Sequence, residues 1–220
     1  MLTKTLDFCR KFASQLTFRV DSRPVDSEHV LVDFATTRAA FIAQKTLYGY
    51  LKTRMGTRYP SMFEDHIFID SINIAKINVF AACLSDMSIY AVAYGLRDQP
   101  EDNSLRRSVA RRCFEAGLEN NAEQVAGVKT FSASDAVVDF EKRLADTDWV
   151  TVGTGHQYFS ASPKALIKWA PIAPKLKQFD EEIVSNSIIL AWHGVRQKYA
   201  KRLRTELLYK DVCDNAPSIN

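Results

Sequence analysis

"SMFEDHIFIDSINIAKINVFAACLSDMSIYAVAY", residues Ser61 to Tyr94, decides the fold. Wound at roughly 100° per residue, it sends Ile67, Phe68, Ile69, Ile72, Ile74, Ile77, Phe80, Leu84, Ile89 and Tyr94 to every side of a helix. A helix apolar all round has to be surrounded by others. Ser61 and Glu64 have the spacing of a reciprocal capping box at its start, and Gly95 marks its end. The expectation is an all-α, multi-helix bundle around a central hydrophobic helix spanning about 61–94.

Two charges intrude on that rod. Asp86 lies in "CLSDMSIY", where burying it unpaired would raise its pKa strongly, so it must meet a cation, a hydroxyl or water. Lys76 is its counterpart in the same apolar context, too far along one helix to pair with it directly. These charges also leave Ile77–Leu96 short of a clean membrane span, so no transmembrane segment is expected.

Upstream, Asp26 or Ser27 can cap a helix running to about Met55, with Gly56 at the left-handed terminal position and Pro60 beyond. Phe34, Phe41, Tyr48 and Met55 recur along one side of it. Arg38, Lys45 and Lys52 recur about 40° round from them. Cations beside aromatics can grip phosphates or stack on bases. They can equally be neutralised across a helical hairpin, Lys52 by Glu64 or Asp65 and Lys45 by Asp70, their stems covering apolar surface. The packing reading is preferred.

The rest of the chain is also helical in pattern. "SLRRSVARRCFEAGLENN" turns Leu105, Val109, Cys113 and Leu118 inward. "FSASDAVVDF" and "FSASPKALIKW" each read as a serine-capped helix start, Pro163 suiting a first turn. "DWVTVGTGHQYF", near 149–159, leaves a short β-hairpin or a plain loop open. A long helix follows Phe179-Asp180, with Val184, Ile188, Ala191, Val195 and Tyr199 inward. The first residues lack a signal peptide's unbroken apolar core. Leu2, Leu6, Cys9, Phe12 and Leu16 suggest an amphipathic helix instead. A single helical domain over 1–212 is expected, with 213–220 a disordered tail.

At 220 residues, 46% hydrophobic and 25% charged, the composition is that of an ordinary globular protein. A net charge of +3 gives no general case for nucleic acid. None of the four cysteines sits in a C-x-x-C pair, which favours free thiols and a cytoplasmic setting.

Chemistry-bearing patterns are sparse. His66 and Asp70 stand one turn apart and could share a metal, but no Glu-x-x-His pair accompanies them, so neither metal nor cofactor is expected. His156 follows two glycines without completing a phosphate loop, and His193 beside Trp192 reads as a packed or rim residue. Two basic clusters remain. One holds Arg106, Arg107, Arg111 and Arg112, the other Arg196, Lys198, Lys201, Arg202 and Arg204. The leading expectation is a helical interaction or regulatory protein without catalytic chemistry, touching an acidic protein partner through these helices, or forming a homo-oligomer. A small helical enzyme, such as a hydrolase using Asp86, His66 or Asp70 in an inter-helix pocket, is the alternative. Nucleic-acid binding through the arginine faces is a third.

Overall fold

A computed structural model describes residues 22–154 and 158–215. Ten α-helices account for most of these: α1 (Glu28–Met55), α2 (His66–Gly95), α3 (Asn103–Glu119), α4 (Ala122–Ala126), α5 (Ala133–Ala145), α6 (Trp149–Val152), α7 (Ala161–Trp169), α8 (Pro174–Lys177), α9 (Glu181–Arg202) and α10 (Thr205–Asp214). No β-strand forms among the described residues. The single extended contact is an isolated bridge between Val25 and Leu203, which ties the lead-in of α1 to the end of α9. The expected amphipathic segment Leu2–Leu16 and His156 lie outside the described residues.

The two long helices α1 and α2 pack along each other as the most extensive pair in the bundle. α3, α7, α9 and α10 close around α1, while α3, α5, α6 and α7 close around α2. α2 is therefore the expected central helix, and from Ile77 to Leu96 nearly every residue is buried. Its first turns differ: Ile67 is 78% exposed, and His66, Asp70 and Asn73 face water. By length and apolarity α2 also meets what a bilayer span needs. Half of its most apolar window is buried inside the protein.

The capping box at Ser61 does not form. Pro60 and residues Ser61–Glu64 continue in tight helical turns, so Ser61 never reaches the extended conformation that a capping residue needs. Asp65 does, at φ −90° and ψ 116°, and its carboxylate accepts from the Ile67 amide at 2.9 Å. The long helix thus starts at His66, and neither Lys45 nor Lys52 joins an ion pair with Glu64, Asp65 or Asp70. Lys45 instead sits over the Phe41 ring at 5.6 Å. Gly56 ends α1 at φ 55° and ψ −129°, a conformation open to glycine.

Three further expectations are corrected. The segment from Trp149 is a helical turn, because Asp148 accepts from the Val150 and Thr151 amides and caps it; strand pairing would leave that carboxylate unused. Helix α10 continues through Cys213 to Asp214, past the expected start of the tail. The serine before α7 supplies no cap, and its place is taken from a distant part of the chain, as described next.

Candidate functional site

Asp86 is 1% exposed on the buried half of α2, opposite the first turn of α7. That turn presents amides with no intrahelical partner. Ala161 N–H donates to one carboxylate oxygen of Asp86 at 3.2 Å, and Ser162 N–H donates to the other at 2.8 Å. The Ser162 hydroxyl donates to that second oxygen at 2.6 Å. Arg143, reaching in from α5, pairs with the first oxygen at 2.6 Å. A carboxylate on α2 therefore caps α7 where a local serine was expected, and the helix dipole adds to the attraction.

The network extends outward on both sides. Arg143 also donates to the Ser85 hydroxyl at 2.7 Å and to the Tyr158 carbonyl at 2.6 Å. Trp192 of α9 donates its indole N–H to the Ser162 oxygen at 3.1 Å. Four helices, α2, α5, α7 and α9, are thus joined through one carboxylate. Burial pushes the neighbouring Cys83 thiol well up, and the charge of Asp86 adds to that.

Chemically this cluster is closed. Asp86 and Ser162 are sealed from water, and every contact Asp86 makes is to a donor already committed to it. A hollow of about 380 Å³ lies alongside, lined by Ser85, Asp135, Asp139, Phe140, Arg143 and Trp169. Asp86 is not among its lining residues; Arg143 and Ser85 stand between. The pocket envisaged for an enzyme is therefore not floored by Asp86. Nor do the three proposed catalytic residues converge. His66 and Asp70 sit exposed on the first turns of α2, Asp70 roughly 24 Å along the helix from Asp86 at 1.5 Å per residue. Among the described residues no three His, Cys, Asp or Glu side chains gather as metal ligands.

Lys76 lines a cleft of about 240 Å³ between α1, α2 and α4, with Gln44, Asn73, Phe80 and Val128. Burial lowers its pKa.

The first basic cluster is largely spent inside the protein. Arg106 is buried and donates to the Leu96 carbonyl at the end of α2, at 3.0 Å. Arg112 grips Glu28 through two bonds of 2.6 and 2.8 Å, tying α3 to the start of α1. Arg111 pairs with Glu115 and Glu141, and Arg107 donates to the Ala145 carbonyl at 3.4 Å. In the second cluster, Arg196 lies over the Tyr90 ring and Arg202 over the Phe34 ring. Lys198, Lys201 and Arg204 stay exposed.

Two features were missed at the level of sequence. Asp180 is a buried carboxylate that accepts from the Tyr50 hydroxyl at 2.5 Å and pairs with Arg54, fastening the start of α9 to the end of α1. The other is a face of α9. Val184, Ile188, Trp192, Val195 and Tyr199 form its buried side. At roughly 100° per residue, Ile183 and Leu190 point about 150° away from the middle of that side. They are 70% and 73% exposed. Phe179, 82% exposed, and Leu176, 63% exposed, stand just before the helix start in the chain. The heptad spacing of Ile183 and Leu190 was the available signal.

No protein-family model, curated protein or solved structure matches this chain.

Proposed function

We propose that this chain is a helical interaction protein, without catalytic chemistry of its own, that docks a partner through the outer face of α9. The observation that supports this is the exposed pair Ile183 and Leu190 on one face of α9, with exposed Leu176 and Phe179 just upstream in the chain. Apolar surface left to water on one face of a helix is often functional. Exposed Lys201 lies on the same side near the end of α9, past His193 and Gln197, with exposed Arg204 just beyond the helix. A fitting partner surface is apolar along its middle and carries carboxylates opposite those cations.

The reading keeps the acidic partner expected from the basic helices but moves the contact. The α3 arginines hold α1, α2 and α5 together, so the second cluster carries what remains of the basic face. The enzyme and nucleic-acid readings have less support, the one because its residues are dispersed, the other because its arginines are engaged internally.

The test substitutes Ile183→Asp and Leu190→Asp together. Both side chains point into water, so helix content and unfolding midpoint are expected to stay near those of the parent. A photo-reactive side chain at position 190 is expected to cross-link the parent in cells to one defined species, and the Ile183→Asp background is expected to abolish that product. Cross-linking that is unchanged by Ile183→Asp would overturn the proposal.

A further inference from the structure

We infer that the cleft between α1, α2 and α4 binds a small organic carboxylate, with the charged end at Lys76 and the apolar body on the floor. This goes beyond the docking reading and does not depend on it. Ala43, Ile77 and Phe80 make the floor, and all three are buried. Gln44 and Lys76 are partly buried in the lining, while Asn73 and Gln124, both exposed, bring their carboxamides to the mouth. At about 240 Å³ the space falls short of the ~300–1,000 Å³ that takes a drug-sized molecule, so its occupant is small.

The lining dictates the chemistry. It offers one cation and, among the described residues, no carboxylate. A partly buried ammonium gives up hydration, and burial accordingly lowers the Lys76 pKa. An anion in the cleft offsets that loss. An ammonium has three donors, and the site asks for one of them. Carboxamides also donate, so Gln44, Asn73 and Gln124 can complete the shell of a carboxylate oxygen without adding a charge that repels it. An apolar floor under a few convergent polar groups is the usual form of a small-molecule site. A bare inorganic anion would leave the floor uncovered, and a neutral ligand of the same shape would make no use of the charge.

The probe is benzoate, whose ring suits a floor containing Phe80, followed through the backbone and carboxamide chemical shifts of the isotope-labelled full chain. The expected dissociation constant is about 1 mM or below, with shifts centred on Gln44, Asn73, Lys76 and Gln124. Benzyl alcohol has the ring without the charge, and inorganic phosphate has the charge without the ring. Each should bind at least ~10-fold more weakly than benzoate. Lys76→Met keeps the apolar stem, removes the ammonium and should weaken benzoate by at least ~10-fold. Should that variant not fold, Ala40→Leu fills part of the cleft from a partly buried position and is expected to give the same loss with Lys76 in place. No shifts up to about 10 mM benzoate would overturn the inference. So would shifts centred elsewhere, benzyl alcohol or phosphate binding as tightly as benzoate, or an affinity that the folded variants leave unchanged.

Discussion

Replacing Asp86 by alanine is the sharpest perturbation of this fold. The substitution strips the acceptor from the Ala161 and Ser162 amides and from the Ser162 hydroxyl, and it leaves Arg143 without its carboxylate. Removing one partner of a buried ion pair costs about 3–5 kcal/mol. Two features place the expected loss towards the lower end. The Arg143 side chain is only partly buried and keeps the Ser85 hydroxyl and the Tyr158 carbonyl, and Ala161 is itself only partly buried. Asp86→Ala should therefore cost about 3–4 kcal/mol, a large share of the ~5–15 kcal/mol typical of a folded protein. Asp86→Asn keeps an acceptor for one amide and should cost about 2 kcal/mol. The assay is urea unfolding followed by tryptophan fluorescence, since Trp192 bonds directly to Ser162. A double-mutant cycle with Arg143→Met should return a coupling of about 2 kcal/mol. An Asp86→Ala loss below about 1 kcal/mol, or a coupling below about 0.5 kcal/mol, would refute the idea that this carboxylate ties four helices together.

Other consequences are equally direct. A Cβ at Gly117 would come within 2.7 Å of Leu84 and 2.9 Å of Thr36, whereas one at Gly194 meets nothing. Chemical unfolding should therefore show Gly117→Ala destabilised by about 1–3 kcal/mol and Gly194→Ala stabilised by about 0.5–1 kcal/mol. Burial pushes the Cys113 thiol from 9.0 up to about 12. Above pH 9 the unfolded chain releases that proton while the folded one retains it, so stability falls as pH rises, by up to about 1.4 kcal/mol per pH unit for this group. Cys113→Ala removes that contribution. Its stability gap to the parent should narrow between pH 9 and about 12, and parallel curves would contradict the assignment. In a Cys9→Ser background, exposed Cys213 should react at once with a chromogenic disulfide reagent. Buried Cys83 and Cys113 should wait for unfolding and react at least ~10³-fold more slowly.

The long helices and their order were legible because periodicity and local punctuation act within a few residues, while short elements such as α8 and α10 carry too little periodicity to show. Gly56 ended α1 where its position implied, and Ser132 capped α5 through the Asp135 amide. What escaped was set by groups far apart in the chain. Asp86 caps α7 from 75 residues upstream, and Asp211 accepts from the Glu28 amide at the start of α1 from 183 residues downstream. Ser27 and Ser160 looked like the caps, yet neither side chain makes the bond. A capping residue in sequence marks a demand for an acceptor, and tertiary packing decides which oxygen meets it.

The same logic explains the arginines. Arg106 and Arg112 read as a solvated basic face because their partners, the Leu96 carbonyl and Glu28, belong to other helices. That Asp86 required a partner could be argued from its apolar context, but Arg143 could not be named. Ile183 and Leu190 were overlooked for a different reason. A second apolar row on an otherwise amphipathic helix is common in sequence and acquires meaning once the opposite side is seen to be occupied.

The measurement that bears most directly on the functional claim is photo-cross-linking in cells from position 190 on the outer face of α9. One defined product is expected, and Ile183→Asp is expected to abolish it. No product, or a product unchanged by Ile183→Asp, would contradict the account.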